Sequence, residues 1–473
     1  MSKNAEYDYR EGYVSYPSRA SEGNIEQKAD YIDYGTDRPS KDRYLSSEEW
    51  ALEWEHVFRK TWLVAGVTMD LPSKGSYLKY DIGPESFVVV QTGETEADLK
   101  AYFNVCPHRG NQLVRDDFGT MGENFYCTFH GWKFDLDGNN IKVKNREIFR
   151  EEVLSGPLCL KKVRCEVWNS IIFINIDGEA RPLVEYLDVI PDHLKAYPFG
   201  EFRVLRDFEA DWPANWKTAM DAFIEFYHSE DVHPELRPVM TTINDVQYDL
   251  YENGMSRMFL ELGNAPLCWP DREAVNDAQK AFIELYGGSP EKYEGLKGYE
   301  YKSALVETKR EWGRKHGYGF FDLLTDDQIT DDWNYHLFPN VTLNCFSDGL
   351  LIQQWKPHPT DPNLSYYWAL TLCLPVSDPE IRVMDINNFG PDSFGPPGWD
   401  GSERPDRDKP RWGVPEDCNS QVWGHVLWQD AQRVPNVHKG MMSEAFEGPL
   451  LSEAEVRIRH YQAEIDRLIG RAK

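Results

Sequence analysis

The sequence predicts an α+β protein with two domains: a small antiparallel β domain, and a larger domain with an antiparallel sheet and flanking helices. Three observations support this prediction. The chain has 473 residues, more than a single hydrophobic core usually serves. Residues 62–177 contain short β-rich runs separated by turn residues, whereas the chain after Pro182 mixes helical stretches with a strand group at 335–376. The hydrophobic fraction of 41% is enough to fill both cores.

Taken in order, residues 1–45 are polar and poor in aliphatic side chains, which predicts an extended N-terminal arm. Residues 46–61 predict a helix that belongs to the larger domain, because serines and glutamates precede an apolar run. We assign residues 62–182 to the β domain and residues 183–473 to the larger domain. Within the latter, residues 389–418 are rich in Pro, Gly and charge and predict a surface loop or lid. A last helix begins at Ser452.

The composition excludes some classes of partner. Lys and Arg total 51 against 79 Asp and Glu, so the formal net charge is −28. Such an acidic surface argues against nucleic acid and anionic membranes as partners. The first thirty residues contain no apolar stretch typical of a signal peptide, and no later run has the length of a bilayer span. We therefore expect a soluble, cytoplasmic protein.

Two short segments combine one sulfur ligand and one nitrogen ligand each. The pattern is Cys-x-His, eighteen residues, then Cys-x-x-His, formed by Cys106, His108, Cys127 and His130. Two thiolates and two imidazoles suit a Rieske [2Fe–2S] centre, in which histidines replace the cysteines on one iron. A structural zinc ion could use the same residues, but zinc sites of this composition usually pair cysteine with cysteine and histidine with histidine. Gly110 and Gly131 follow the histidines, where backbone N–H groups can approach the sulfurs.

A second group of candidate residues lies in a predicted helix across 213–232. At 100° per residue, Asp221, Glu225 and His228 share one face of this helix. Three ionisable side chains on one stripe are costly in a core, so this face predicts a functional site. His233 is five residues beyond His228 and would point elsewhere on an unbroken helix. Pro234 disfavours helical backbone at His233, however, and allows both imidazoles to bind one ion.

Two histidines and a carboxylate form the facial triad of nonhaem Fe(II) oxygenases. We choose Asp430 as the carboxylate because it ends a strongly apolar run, and we keep Asp417 and Glu416 as weaker candidates. Taken alone, such histidines and such an aspartate are more often ordinary core or surface residues. The cluster motif upstream favours the iron site, because a one-electron centre needs a group to reduce.

With both groups in view, the chain resembles the large (alpha) subunits of Rieske nonhaem iron aromatic-ring-hydroxylating oxygenases. The resemblance rests on the segments CPHRG at 106–110, CTFHGW at 127–132, NWK at 215–217 with EFYH-x₄-H at 225–233, YHLFPN at 335–340 and QD at 429–430. It implies a Rieske domain inserted in a helix-grip catalytic domain, and a ring-shaped homotrimer or an assembly with small β subunits (α₃β₃). It also implies one [2Fe–2S] cluster on Cys106, His108, Cys127 and His130, and one mononuclear Fe(II) on His228, His233 and Asp430.

The same resemblance implies a role for Glu225, which would bridge to a cluster histidine of the neighbouring subunit. Many ring dioxygenases of the family look to have Asp at the position of Glu225, and they often have Asn at the position of Asp221. This departure leaves room for monooxygenation or demethylation, because members acting on quaternary amines resemble the glutamate variant. We assign both Glu225 and Asp221 to the catalytic machinery.

The predicted function is the oxygenase component of a Rieske system. It would use O₂ and electrons from NAD(P)H, delivered by a reductase or ferredoxin, to hydroxylate or cis-dihydroxylate an aromatic or cyclic substrate, as in the catabolism of aromatic hydrocarbons. One alternative is a monooxygenase or demethylase acting on an amine or methoxy substrate. An alternative of another class is a zinc-stabilised binding protein without redox activity.

Overall fold

The computed structural model describes residues 24–241, 246–266, 269–376, 378–386 and 394–471. The first 23 residues of the predicted arm lie outside this part of the chain, and residues 24–41 form neither helix nor strand. Two helices follow, α1 (Asp42–Leu45) and α2 (Ser47–Glu53), and α2 continues as a π-helical turn over Trp54–Phe58. The predicted helix over 46–61 is therefore present and ends at Phe58.

The chain divides into two compact units, one of Ala51–Tyr186 with Pro357–Asp361, the other of Met1–Trp50, Leu187–Lys356 and Pro362–Lys473. The dividing line near residue 50 falls inside α2. The domain limits predicted from the sequence remain a proposal. The α+β class with two antiparallel sheets is confirmed.

The smaller unit has a seven-stranded antiparallel sheet in the order β1-β10-β9-β4-β3-β2-β5 and a three-stranded sheet β6-β7-β8. Its elements are β1 (Leu63–Val67), β2 (Ser76–Ile82), β3 (Glu85–Gln91), β4 (Leu99–Phe103), β5 (Phe118–Thr120), β6 (Asn124–Tyr126), β7 (Lys133–Asp135), β8 (Asn140–Lys142), β9 (Lys162–Trp168), β10 (Ile171–Asn175) and α3 (Leu183–Tyr186). One predicted ligand loop follows β4 and the other joins β6 to β7. Cys106, Cys127 and Trp132 belong to the apolar cluster beneath these loops.

The larger unit is built on a second antiparallel sheet in the order β11-β17-β16-β15-β14-β13-β12. Its strands are β11 (Arg203–Trp212), β12 (Gln247–Leu250), β13 (Ser256–Leu260), β14 (Asp332–Leu337), β15 (Val341–Phe346), β16 (Gly349–Pro357) and β17 (Ser365–Cys373), with a separate hairpin of β18 (Arg382–Met384) and β19 (Phe394–Pro397). Most residues of β12 to β17 are buried, which fits a sheet covered on both faces.

The helices of this unit lie mostly between or after the strands in sequence. They are α4 (Ile190–His193), α5 (Trp216–Asp221), α6 (Ser229–Val232), α7 (Asp277–Leu285), α8 (Lys302–Lys315), α9 (Asp326–Thr330), α10 (Ser420–Trp423), α11 (His425–Ala431), α12 (Val434–Met441) and α13 (Val456–Ile469). Ser452 and Glu455 form a capping box ahead of α13, which confirms the predicted helix start. Among the described residues, no helix is both long enough and apolar enough to cross a bilayer.

Two predictions for this unit need correction. The predicted helix across 213–232 is wrong, because α5 ends at Asp221 and α6 begins only at Ser229. The segment 389–418 is not wholly loop. Within it, Phe394–Pro397 form a strand that pairs with β18, and Asp408 forms a bridge with Phe208 of β11. Residues 387–393 lie outside the described part of the chain. The end of helical backbone at His233 is confirmed, since this residue has φ −120° and ψ 66°.

Candidate metal centres

The two predicted cluster loops share one backbone arrangement. In each, the glycine N–H donates to the carbonyl oxygen of the cysteine four residues earlier, and the cysteine N–H donates to the carbonyl oxygen of the residue after the glycine. The distances are 2.9 Å from Gly110 to Cys106, 2.9 Å from Gly131 to Cys127, 2.8 Å from Cys106 to Asn111 and 2.9 Å from Cys127 to Trp132. The glycines have φ of 78° and 73°, which residues with a Cβ rarely adopt. Each turn therefore requires its glycine.

The side chains in these loops fit a metal cluster. Both cysteines are 1% exposed, whereas the histidine rings are partly exposed and lie 4.4 Å apart between centroids. His108 Nδ1 is buried and has no hydrogen-bond partner among the described residues. Burial, His130 and Arg109 lower the pKa of His108, which disfavours its protonated form. An unpaired imidazole nitrogen is the donor that a cluster iron requires.

Neighbouring groups hold the cluster loops and reach the sulfurs. Backbone N–H groups of His108 and Arg109 hydrogen-bond to Cys106, and Asn111 Nδ2 in the first loop lies 3.7 Å from Cys127 Sγ in the second. The Trp132 ring stacks on His108 at 4.9 Å with an interplanar angle of 5°. Donors to sulfur stabilise the reduced, more negative form of an iron–sulfur cluster.

A second candidate site lies in the larger unit. In the described part of the chain, His228, His233 and Asp430 form the one group of three histidine, cysteine or carboxylate residues whose donor atoms lie within 4.8 Å of one another. Asp430 Oδ1 is 3.5 Å from His228 Nε2 and 3.4 Å from His233 Nε2.

The break between α5 and α6 explains how His228 is positioned. Glu225 Oε2 accepts the backbone N–H groups of Tyr227 and His228, which an uninterrupted helix would direct to earlier carbonyl oxygens. The other oxygen, Oε1, lies 2.5 Å from His228 Nδ1. Burial alone would lower the pKa of His228, but Glu225 and Asp430 raise it to about 9. One carboxylate thus keeps the N–H groups of residues 227 and 228 out of helical hydrogen bonds and directs Nε2 of His228 toward Asp430.

His233 is held by an amide instead of a carboxylate. Gln429 Oε1 lies 2.6 Å from His233 Nδ1, and Gln429 Nε2 donates to Glu235 at 3.1 Å. His233 and Asp430 are 4% and 5% exposed. Because Gln429 and Asp430 are consecutive on α11, this helix supplies both a candidate ligand and the partner of another. The geometry supports Asp430 over Asp417, which bonds to Arg411, and over Glu416, which lies outside the group.

Asp221 lies elsewhere than predicted. It ends α5 and does not share a face with Glu225 and His228, because the helix stops there. Its carboxylate accepts hydrogen bonds from Tyr44 at 2.8 Å and Tyr461 at 2.6 Å. Burial raises the pKa of Asp221 to about 7, although the two tyrosines oppose this rise. Its assignment to the catalytic machinery stays a prediction.

A cavity of about 110 Å³ opens beside His228, His233 and Asp430. Its walls are mostly apolar and include Phe223, Phe226, Leu236, Met258, Phe346 and Leu351. The sheet adds four polar side chains that the sequence-based prediction missed, namely Asp332, Asn334, Asn344 and Gln353. The sequence contained a sign of two of them, because Asp332 and Asn334 alternate with aromatic residues in a strand that is buried throughout.

Comparison with known proteins agrees with this geometry. Residues 61–151 match the Rieske [2Fe-2S] domain, and residues 199–471 match the ring hydroxylating alpha subunit (catalytic domain). The carnitine monooxygenase oxygenase subunit of Escherichia coli (strain K12) is 32% identical over 214 residues, which are 45% of this chain and 54% of that protein. The anthranilate 1,2-dioxygenase large subunit of Acinetobacter baylyi is 29% identical over 208 residues, 42% of this chain and 43% of that protein. The chain thus matches about half the length of these curated relatives.

A solved structure supports the same fold over nearly the whole chain. A quaternary ammonium Rieske monooxygenase matches with a TM-score of 0.59 and 16% identity, covering 91% of this chain and 95% of that one. The catalytic-domain match alone spans more than half of the 473 residues. The chain therefore belongs to the ring-hydroxylating alpha-subunit family, with a Rieske [2Fe–2S] domain and the catalytic domain that binds mononuclear iron in these oxygenases.

Proposed function

We propose that the chain is the oxygenase component of a Rieske system and that it monooxygenates a small amine. One observation carries the proposal: the donor atoms of His228, His233 and Asp430 converge at the wall of an apolar cavity. Cys106, His108, Cys127 and His130 would hold the cluster. When bound, the cluster supplies single electrons and the ferrous ion supplies O₂ chemistry.

The residues around the iron site would keep two imidazoles in a fixed orientation. Glu225 accepts from His228 Nδ1 and Gln429 accepts from His233 Nδ1, so Nε2 of each ring is the nitrogen that would bind the ion beside Asp430. The two backbone N–H groups that Glu225 accepts hold its carboxylate in position. The apolar cavity walls would exclude bulk water beside the reacting carbon.

The overall reaction balances as a monooxygenation. One oxygen atom of O₂ enters a C–H bond of the substrate, and the other leaves as water, with two electrons and two protons consumed. The electrons would come one at a time from NAD(P)H through a reductase or ferredoxin. We also propose, from the family resemblance, that they pass from the cluster of a neighbouring subunit through Glu225, in a homotrimer or α₃β₃ assembly located in the cytoplasm.

Two observations favour an amine over a large aromatic hydrocarbon. Similar proteins include a carnitine monooxygenase and a quaternary ammonium monooxygenase. The cavity of about 110 Å³ is small for a polycyclic hydrocarbon. The second candidate is hydroxylation or dihydroxylation of a small ring, which the phenylalanines of the cavity and the likeness to anthranilate dioxygenase favour.

The proposal is tested by reconstituting the protein with iron, a generic ferredoxin and reductase, NADH and ¹⁸O₂. Small tertiary and quaternary amines, monocyclic aromatics and terpenoids are then screened for ¹⁸O-labelled products by mass spectrometry. We expect label in an amine-derived alcohol or aldehyde. Label in a ring diol would replace the amine with the second candidate, and cluster reduction without labelled product from any class would contradict an oxygenase function.

A further inference from the structure

The polar side chains on the sheet wall of the cavity are arranged for a ligand. Asp332 and Asn334 lie two residues apart on β14 and so face the same side, and Asn344 of β15 is paired opposite Asn334. Together with Gln353 of β16 they line the cavity that the candidate iron ligands also line. Polar groups in such a buried, mostly apolar place cost free energy unless they are bonded. The hydrogen bonds that these side chains make therefore show which polar atom is left for a ligand.

A chain of hydrogen bonds runs along this face and ends at Asp332. Tyr367 donates its hydroxyl to Gln353 Oε1 at 2.5 Å, Gln353 Nε2 donates to Asn344 Oδ1 at 3.1 Å, and Asn344 Nδ2 donates to Asp332 Oδ2 at 2.9 Å. Every amide in the series thus points its donor toward the carboxylate. Asp332 Oδ1 has no hydrogen-bond partner among the described residues, although Asp332 is only 5% exposed. One buried acceptor is left over on the cavity wall.

Carboxylates outnumber basic side chains on the cavity wall. Its described lining residues include the carboxylates Glu225, Asp332 and Asp430, and no lysine or arginine. Arg457 lies behind Asn334 and donates to Asn334 Oδ1 at 2.8 Å and to Ser256 Oγ at 2.9 Å. Burial raises the pKa of Asp332 to about 7, and the Asn344 hydrogen bond and Arg457 oppose the rise. Burial makes the ionised form of this carboxylate unfavourable, and a cation placed beside it would stabilise that form.

We propose that Asp332 binds a positively charged nitrogen of the substrate and selects cationic molecules over neutral and anionic ones of the same shape. The inference rests on the proposed function, since it places the substrate in the cavity beside the iron site. Phe223, Phe226 and Phe346 supply aromatic surface in the same cavity, which also attracts a cation. A substrate carboxylate finds no lysine or arginine among the described lining residues, so this wall offers it no counterpart of Asp332.

The test uses four probes that share one shape: choline, the neutral 3,3-dimethylbutan-1-ol, the zwitterion glycine betaine and the anion 3,3-dimethylbutanoate. Each is titrated by calorimetry into the iron-loaded holoprotein without an electron donor. We expect choline to bind at least about tenfold more tightly than the neutral alcohol, with the anion weakest. Equal affinity for choline and the alcohol overturns the proposal, and this comparison needs no variant.

Variants assign the preference to one residue. Asp332→Asn keeps the shape of the side chain and should bring the affinities for choline and the neutral alcohol within about twofold of each other. Asp331→Asn is the matched control, because the neighbouring carboxylate is as buried, bonds to Lys302 and does not line the cavity. It should retain the choline preference. Retained mononuclear iron, whose candidate ligands lie in the same unit as Asp331 and Asp332, confirms that both variants are folded, and a preference that survives in Asp332→Asn contradicts the proposal.

These titrations separate the two proposals. Selective binding of choline without any labelled product from the ¹⁸O₂ screen would count against the oxygenase function and leave the role of Asp332 intact. Labelled product from a neutral molecule, combined with equal affinities for choline and the alcohol, would support the oxygenase function and overturn the role of Asp332.

Discussion

The two candidate metal sites differ in what holds their ligands. In the cluster loops, backbone hydrogen bonds of the same pattern close both turns, and each loop supplies its cysteine and histidine within four consecutive residues. At the iron site, side chains do this work: Glu225 holds His228 and Gln429 holds His233, and the third candidate ligand, Asp430, comes from a helix about 200 residues later in the chain. The first site is local and depends on the backbone, whereas the second is assembled by tertiary folding.

This difference has consequences for mutation. A site closed by its own backbone should lose its metal only when a ligand is removed. A site oriented by side chains should also weaken when an outer partner is changed, because orientation and basicity of the imidazoles depend on that partner. The variants below compare the two sites in these terms.

The largest effect is expected for His228→Ala. Removing one of three candidate ligands should lower the iron content by about one ion per chain and reduce turnover by more than about 100-fold, since changes to mere outer partners already cost about 10–100-fold. Iron analysis and the visible spectrum measure the two sites separately. The cluster spectrum should be unchanged, and its loss together with the mononuclear iron would contradict two independent sites.

The reciprocal change is Cys127→Ala. It removes a buried cluster ligand, so the cluster absorption and its electron resonance signal in the reduced state should disappear, and turnover with a physiological-type donor should fall to background. Mononuclear iron should remain, because its candidate ligands lie in the larger unit. Iron analysis of the colourless variant measures the bound ferrous iron. A colourless wild-type protein that contains zinc would instead restore the zinc alternative.

The same contrast explains what the sequence could predict. The cluster motif was recognisable because its ligands and required glycines are adjacent, and the turn accepts little else at φ near 75°. The helix through 213–232 was wrongly predicted, because its apolar and ionisable residues fit helical spacing. The helix ends at Asp221, and beyond it the Glu225 carboxylate binds the N–H groups of residues 227 and 228, a competition with helical bonding that propensity does not contain.

The iron site and its cavity depended more on resemblance than on local pattern. His228 and His233 could be paired from Pro234, but Asp430 was one of three acidic candidates until the structure placed it near both imidazoles. Asp332 was missed, since alternation along β14 predicts a buried face without saying that the face lines a cavity. Long-range packing, which a single sequence does not encode locally, decides both cases.

A smaller effect is expected for Glu225→Gln. The amide cannot accept from His228 Nδ1 as strongly, so turnover should fall by about 10–100-fold while both metals stay bound. Single-turnover product formation under O₂ measures the loss of turnover, and iron analysis measures whether both metals stay bound. The spacing-matched control is Glu230→Gln, because Glu230 also precedes a histidine by three residues, but His233 Nδ1 bonds to Gln429. Equal losses in the two variants would remove the orienting role of Glu225.

The smallest effect is expected at the backbone-closed site, for Asn111→Leu. This change removes the Nδ2 donor to Cys127 Sγ but keeps the Asn111 carbonyl that closes the first loop, so the cluster should assemble normally. Losing one hydrogen bond of about 1 kcal/mol from the sulfur should lower the reduction potential by about 40 mV, since tenfold in a one-electron equilibrium corresponds to about 59 mV. Spectroelectrochemistry measures the shift, with the exposed neighbour Gln112→Leu as control. An unchanged potential would mean that the backbone donors at the cluster alone set it, which would make the contrast between the two sites sharper still.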